Sequence, residues 1–565
     1  MSFNCTGFPS KDKTHLKNVS KKLLKPTVLP LSFYGTFMLL NSKRLSEPAV
    51  QQGDRIYSKQ ELRDDTVTLI KAFKKYGVNR GQRLAVITTN FYEGIIMTLA
   101  ANASGIQIVY FNPLATDEEL AADIDKYTPD LLFVYGRSRE SVQNIYALAS
   151  SKFTMVIDYE ADANPQAADN GSAESAFKYV TFSAFRERGE KSSKGVKLTV
   201  LRNLLSKKVS LFLQTSGSSA GKPKGLPFTN ESVFASMLYA SNSSDIKTNY
   251  IRAQKMMCIL PYRLPYGWNL LFMNIMGGNC VVLAPGATPE DIGNYYKFEP
   301  SYIYGTPVIL RAFIDNTPED ADLSCLIAFF ASGFSLPESL YEEAKEFFAN
   351  HGAPDAEIRN NYGIGEGLCI GTVTDGMPHV KGTVGKFWYG PEWVLVDDEL
   401  NEVKYGETGE ALVYSKTLCK GYVGEPELTG KTFIKFRGKT YYRSGDRMSL
   451  DENGIVTFYG RIKRFYQPLG ATDKVNCETI EKAVADCPIV KQCAAVAVHD
   501  DETIQAGKVF AVLYENAAGE NPEETIRSFI SQKLLDYQMP KYFCFVDEIP
   551  LMKSGKIDYM KLEQM

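Results

Sequence analysis

The segments Leu84-Ala85-Val86-Ile87-Thr88, Tyr92 to Ala101 and Ile106-Gln107-Ile108-Val109-Tyr110 carry the fold of the front half of the chain. The first and last are short apolar runs rich in β-branched residues. The middle one repeats its apolar side chains at helical spacing. The rhythm continues on both sides: Leu62 to Phe73 and Glu118 to Tyr127 suit helices, and Leu131-Leu132-Phe133-Val134-Tyr135 suits a strand. Strands alternating with helices of this length imply a parallel sheet covered on both faces. A second alternating block runs from Ser210 to about Gly367, whereas the polar stretch Glu160 to Glu174 reads as a loop or insertion. From Gly385 to Gly460 short β-rich runs such as Glu410-Ala411-Leu412-Val413-Tyr414 are separated by glycines, suggesting a small β-barrel-like subdomain at about 385–460. The last hundred residues suit a compact α+β unit. The expected class is α/β, with doubly wound sheets ahead of the β-rich subdomain and the α+β unit behind it.

Composition narrows the partners. A chain of 565 residues exceeds one ordinary domain, and at 44% apolar and 23% charged residues it reads as soluble and globular. The net charge of -3 gives no reason to expect nucleic acid as a partner. Ten scattered cysteines without CxxC pairs read as reduced thiols, and four histidines without ligand spacing argue against zinc. No apolar run reaches the ~18 residues of a spanning helix. Lys11, Lys13, Lys17, Lys21, Lys22 and Lys25 surround Leu16, Val19, Leu23 and Leu24, a pattern open to peripheral membrane contact or to packing on the body. A cytoplasmic location is expected.

The chemistry centres on Thr215-Ser216-Gly217-Ser218-Ser219-Ala220-Gly221-Lys222-Pro223-Lys224-Gly225, which follows the strand-like Val209-Ser210-Leu211-Phe212-Leu213. Such a loop can turn sharply and aim backbone N–H groups and hydroxyls at one anion, with Lys222 or Lys224 adding positive charge. A polyphosphate ligand fits, and so, from composition alone, does a surface turn. Lys224 is followed by Gly225 rather than Ser or Thr, so this is not the P-loop of nucleotide hydrolases.

Four further motifs follow in order: Tyr362-Gly363-Ile364-Gly365-Glu366, Tyr442-Arg443-Ser444-Gly445-Asp446, Gly460-Arg461-Ile462-Lys463-Arg464 and Pro550-Leu551-Met552-Lys553-Ser554-Gly555-Lys556-Ile557-Asp558. With the first loop they resemble the adenylate-forming superfamily of acyl-CoA synthetases, peptide-synthetase adenylation domains and luciferases, over about Tyr57 to Leu562. The resemblance implies ATP, Mg²⁺ and a carboxylic acid as ligands. It places Thr215, Ser216, Gly217, Ser218, Ser219, Gly221 and Lys224 around the phosphates. Tyr362 would stack on adenine near Asn360, Asn361 and Gly363, with Gly333 and Phe334 alongside. Glu366 would hold Mg²⁺, Asp446 would accept from the ribose hydroxyls, and Arg461 would assist there. Thr215, Glu366 and Lys556 would be the catalytic set, Lys556 reaching the carboxylate and α-phosphate. The acyl pocket would involve Tyr262, Arg263, Tyr304, Gly305, Ser332, Phe334 and Ile364, with Arg263 open to pairing a second carboxylate. The resemblance also implies that Arg464 is the hinge between a large N-terminal domain over residues 1–463 and a mobile small C-terminal domain over 464–565, and that the loop at Gly470 serves the thiol step.

The chain departs from the family pattern at several points. Ala220 is an apparent extra residue in the phosphate loop, Gly365 replaces a Thr, and Leu264 replaces a His. Arg464 stands for an Asp, Gln467 for a Lys, and about two extra residues lie between Gly470 and Val475. The implied function is an AMP-forming acyl-CoA synthetase with CoA as co-substrate and a place in fatty acid metabolism. Two alternatives stay open: a stand-alone adenylation enzyme loading a separate carrier protein, and a nucleotide-binding relative without catalysis.

Overall fold

The computed structural model describes residues 32–159, 176–192, 208–215, 223–243, 254–333, 336–374, 377–461, 464–466, 475–500, 504–515, 521–552 and 557–565. The predicted loop at Glu160 to Glu174 and the basic segment at Lys11 to Lys25 lie outside them.

The alternation read from the sequence is present. The helices are Lys59–Lys75, Tyr92–Ser104 and Asp117–Tyr127, and the strands are Arg83–Ile87, Gln107–Tyr110 and Leu131–Val134. Local chemistry sets their ends. Ser58 with Glu61, and Thr116 with Glu119, form reciprocal capping boxes that satisfy the first N–H groups of two helices. Tyr92–Ser104 stops at Gly105, whose φ of 77° is the left-handed conformation glycine adopts readily.

Two seven-stranded sheets form the large domain. One runs Lys178–Thr181, Met155–Asp158, Leu131–Val134, Arg83–Ile87, Gln107–Tyr110, Val209–Gln214, Gly225–Thr229, parallel except for the last pair. The other runs Glu357–Asn361, Ala328–Ser332, Tyr302–Gly305, Lys255–Cys258, Cys280–Leu283, Pro48–Gln52, Arg55–Ser58, again antiparallel only at its last pair. The helices Tyr92–Ser104 and Pro265–Gly277 are apolar nearly all round and are buried within one core that draws residues from both sheets, including Val86, Ile108, Leu213, Val281 and Leu283.

The β-rich region is a five-stranded antiparallel sheet, Glu392–Val396, Thr408–Tyr414, Lys439–Leu450 and Phe433–Phe436 with Val456–Arg461 on the other edge of Lys439–Leu450. Trp393 lies fully buried in it, stacked on Phe387. The C-terminal domain packs Cys477–Ala485, Pro522–Ile530 and Tyr559–Gln564 on a sheet of Val490–Asp500, Ile504–Leu513 and Tyr542–Phe545.

Candidate active site

The strands that end in Gln214, Gly305, Ser332 and Asn361 bring their carboxyl ends to one side of the large domain. Ligands in open α/β sheets bind outside the carboxyl ends of parallel strands. A cleft of about 2160 Å³ opens there, bounded on its far side by the C-terminal domain. Thr215, Lys224, Arg263, Tyr304, Ser332, Gly333, Asn360, Asn361, Tyr362, Gly363, Ile364, Glu366, Asp446 and Arg464 all line it.

The glycine-rich loop is held at its root. Gln214 pairs with Gly225 across the antiparallel ladder. One step further, the Thr215 amide donates to the Lys224 carbonyl, and the Lys224 amide donates to Thr215 Oγ1, both at 3.0 Å. Gly225 is required by crowding, since a Cβ there would sit 2.0 Å from the Tyr127 hydroxyl. The loop residues Ser216, Gly217, Ser218, Ser219 and Gly221 lie outside the described residues.

Below the loop, the Lys224 ammonium sits 4.9 Å from the centre of the Tyr422 ring. The Tyr422 hydroxyl donates to Glu366 Oε1 at 2.8 Å. Burial, with Glu366 beside it, pushes the Tyr422 phenol well above its ordinary range and keeps it a donor. The Glu366 carbonyl also accepts from the Cys419 amide at 2.7 Å, which ties the Glu366 turn to the segment carrying Tyr422. Tyr422 was not anticipated from the sequence. It lies 56 residues from Glu366, and no local spacing signals the pair.

Tyr362 and Asp446 form the second half of the cleft. The Tyr362 hydroxyl donates to Asp446 Oδ2 at 2.5 Å, and its ring packs edge-on to Trp393 and tilted against Phe458. Its backbone is fixed to Thr372 by an amide donating to Thr372 Oγ1. Asp446 is fully buried. It pairs in register with Arg461 on the neighbouring strand, and the preceding turn is held by Glu410, which accepts from the Gly445 amide and pairs with Arg443. The expectation for the Arg461 side chain lies outside the described residues. Asn360 donates to the Thr383 carbonyl at 3.2 Å, and Asn361 accepts from Thr374 at 2.8 Å.

The predicted acyl residues divide. Tyr304 and Ser332 end adjacent parallel strands and face the cleft with Ile364 and Arg263. Tyr262 does not line it. Its ring is 1% exposed, meets Tyr110 edge-on at 5.3 Å, and carries its hydroxyl against Gly94 of the buried helix. Tyr262 belongs to the core cluster that also holds Tyr110 and Trp268, whereas the next residue, Arg263, borders the cleft. Gly305 is also packed rather than open, with Ile309 and Phe329 against the position a Cβ would take. Phe334 lies outside the described residues.

Lys556 and Gly470 lie outside them as well, but their flanks are described. Leu551 pairs with Ile557 as an isolated antiparallel bridge, the Asp558 amide donates to the Pro550 carbonyl, and both Leu551 and Ile557 line the cleft. The Gly470 loop springs from the two-residue ladder that pairs Tyr466 with Val475. Arg464 is anchored on the C-terminal domain. Its guanidinium pairs with Glu478 and Glu481, donates to the Ala495 carbonyl at 2.9 Å, and stacks 3.7 Å from the Tyr559 ring centre.

Known proteins resemble this chain along most of its length. The profile of the AMP-binding enzyme family matches residues 41–423, and that of the AMP-binding enzyme C-terminal domain matches 479–556. A probable CoA ligase of Humulus lupulus, CCL5, is 26% identical over 88% of this chain and 86% of its own. A D-alanine–D-alanyl carrier protein ligase of Bacillus licheniformis is 25% identical over 62% of this chain and 70% of its own. The chain spans 66% of the length of zwittermicin A synthase ZmaJ of Bacillus cereus, at 27% identity. The crystal structure of the anthranilate CoA ligase AuaEII in complex with anthranoyl-AMP superposes with a TM-score of 0.79 at 20% identity, covering 94% of this chain and 96% of that one, a likeness of fold. With a family profile spanning more than half of its residues, this chain belongs to the AMP-binding enzymes, the adenylate-forming ligases.

Proposed function

We propose that this protein activates a carboxylic acid with ATP as an acyl-adenylate and passes the acyl group to the thiol of CoA. The observation that carries the reading is that one cleft gathers the closed root of the Thr215 loop, Glu366 on Tyr422, the Tyr362–Asp446 pair and the two residues flanking the Lys556 segment.

In the first step a carboxylate oxygen bonds to the α-phosphorus while the bond to the bridging oxygen of pyrophosphate breaks. The nucleophile is already ionised, so the site needs positioning and charge neutralisation rather than a general base. Thr215, Lys224 and the loop between them hold the β- and γ-phosphates. Asp446 accepts from the ribose, and Tyr362 presents its ring to the base. Lys556 faces the charge that builds on the α-phosphate. Glu366 would hold Mg²⁺: Oε1 accepts from Tyr422, and the side chain borders the cleft with Oε2 uncommitted to any described residue. Bound there, magnesium neutralises phosphate charge. In the second step the thiol sulfur bonds to the acyl carbon, the carbon–oxygen bond to AMP breaks, and the thiol proton passes to solvent.

CoA is the proposed acceptor on the strength of the CoA ligase among the relatives. The carrier-protein ligase among them keeps a carrier thiol as the second reading, which Gln467 in the place of a lysine also favours. No helix among the described residues is long and apolar enough to cross a membrane, and we place the reaction in the cytoplasm. The large and small domains are taken to meet at residues 463–464. The test is pyrophosphate release across a panel of acids, with and without CoA. Acid-dependent release that is followed by CoA thioester supports the reading. Adenylate without thioester moves the acceptor to a carrier, and no release with any acid overturns the enzyme.

A further inference from the structure

Arg263 is the one strongly buried cation of the cleft wall whose charge the described residues leave unpaired. It is 8% exposed and borders the cleft, yet no described carboxylate lies within ion-pair distance of its guanidinium. The other buried arginine of this half, Arg359, is paired with Glu357 at 2.7 Å. The neighbouring carboxylate that acts on Arg263 is Asp123, and Asp123 is already engaged as acceptor for Gln214 Nε2 at 3.0 Å. Taking a guanidinium out of water without a paired anion is strongly unfavourable. Burial accordingly lowers the Arg263 pKa to about 10, which still leaves it cationic at neutral pH.

Its setting shows what anion would complete it. The backbone is held at the root of the phosphate loop, where the Gln214 amide donates to the Arg263 carbonyl. Two residues on, Pro265 packs beside Gly365 of the Tyr362–Glu366 segment, and Tyr266 engages Ser332 at the end of its strand. Arg263 thus stands where the acid-facing wall meets the phosphate-facing wall. Around it the cleft is lined by Leu264, Met273, Tyr304, Ile309 and Phe330, with Asn269, Asn274, Thr306 and Ser332 as neutral polar neighbours. On the phosphate side Lys224 and the Mg²⁺ that Glu366 suits already supply positive charge. A further buried cation is not needed there, whereas a second anion on the acid would find no cationic partner among those neighbours.

We propose that Arg263 is a specificity-determining residue that pairs the second carboxylate of a dicarboxylic acid, whose other carboxylate is adenylated. The assignment rests on the acid-activating reading above. A guanidinium can grip both oxygens of a carboxylate at once, and a site built to pair a group discriminates strongly against the analogue that lacks it.

The experiment compares kcat/KM for pyrophosphate release between acids matched in length and differing in one carboxylate, such as hexanoate with adipate and benzoate with terephthalate. The parent protein should favour the dicarboxylate of a matched pair by roughly 10- to 100-fold, the range that charged hydrogen bonds supply. Arg263→Gln should remove that preference by lowering the dicarboxylate rate and leaving the monocarboxylate rate within a few-fold, with KM for ATP unchanged. Arg263→Lys should restore part of it. A raised KM for ATP in Arg263→Gln with the acid preference intact would assign the cation to a nucleotide phosphate and overturn the proposal. Equal or better use of the monocarboxylates by the parent would overturn it even if the variant failed to fold. Activity on monocarboxylates alone leaves acid activation standing while sinking the Arg263 assignment, whereas pyrophosphate release with no acid at all sinks the activation itself.

Discussion

Glu366 and Tyr422 meet through a single hydrogen bond, and that contact orients the carboxylate proposed to face magnesium. Tyr422→Phe removes the donor and leaves the ring beneath Lys224. Losing one such bond to a charged acceptor costs about 1.5–3 kcal/mol. Adenylation should therefore fall by roughly 10-fold or more at low magnesium and recover partly as magnesium is raised. A rate independent of both the mutation and the magnesium concentration would dissociate Glu366 from the metal. With Lys556 in its proposed role, meeting charge that develops only in the transition state, Lys556→Ala should lower acyl-adenylate formation by about 10²–10³. ATP affinity, read by calorimetry, should stay within a few-fold of the parent. Asp446→Ala should do the reverse and weaken ATP binding by roughly 10- to 100-fold through lost charge-assisted bonds. Tyr262 belongs to neither group. Truncating a fully buried aromatic costs on the order of 3–5 kcal/mol, so Tyr262→Ala should lower the melting temperature and leave acid preference unchanged among the molecules that remain folded. A changed preference at unchanged stability would return Tyr262 to the pocket.

At the scale of elements, the strands and helices of the first sheet were legible because each satisfies its period locally. Leu84 to Ile87 and Ile108 to Tyr110 are buried on both faces, so they read as unbroken apolar runs. Asp117–Tyr127 shows its start in Thr116 and Glu119. The hairpin Pro48–Gln52 and Arg55–Ser58, which completes the second sheet, was not legible, because its pairing with Cys280–Leu283 bridges some 230 residues and leaves no local trace. The candidate site divides in the same way. Thr215, Tyr362, Glu366, Asp446 and the Lys556 segment are marked by loop motifs, whereas Tyr422 and Glu410 act through contacts that only the folded chain creates. Tyr262 and Gly305 were misplaced because a segment's position says nothing of which side each residue faces. The contact between Arg464 and Tyr559 is another of these folded-state links. Tyr559 lies three residues beyond Lys556, at the first turn of Tyr559–Gln564. A stacked cation at such a distance contributes about 0.5–2 kcal/mol. Tyr559→Leu should therefore lower adenylation several-fold and spare thioester formation from supplied acyl-adenylate. An equal loss in both assays would mean that Tyr559 only stabilises the domain.

For the whole molecule, polar contacts among the described residues join the C-terminal domain to the large one. Lys482 donates to the Phe458 carbonyl at 3.0 Å, Lys381 pairs with Asp486 at 3.0 Å, and Glu478 packs under Gly460. Gly460 holds φ at 113°, and a Cβ there would stand 2.7 Å from Glu478 Oε2. Polar contacts of this kind are compatible with the proposed movement of the C-terminal domain between two steps. We propose that the two steps draw in turn on Lys556 and on the residues around Gly470, both of which belong to the C-terminal part of the chain. Arg464→Pro fixes φ near the junction, and Arg464→Gln removes the same side-chain pairs while leaving φ free. Thioester formation should fall much further than adenylation in the first variant and not in the second. Equal behaviour of the two variants would remove the hinge from Arg464.

Acid-dependent exchange of labelled pyrophosphate into ATP measures the joining of a carboxylate to AMP by itself, without CoA or a carrier. Adenylation in this cleft should give exchange only when an acid from the panel is present, and the exchange should fall by about 10²–10³ in Lys556→Ala while ATP still binds. ATP binding with no exchange for any acid, or exchange unaffected by Lys556→Ala, would contradict it.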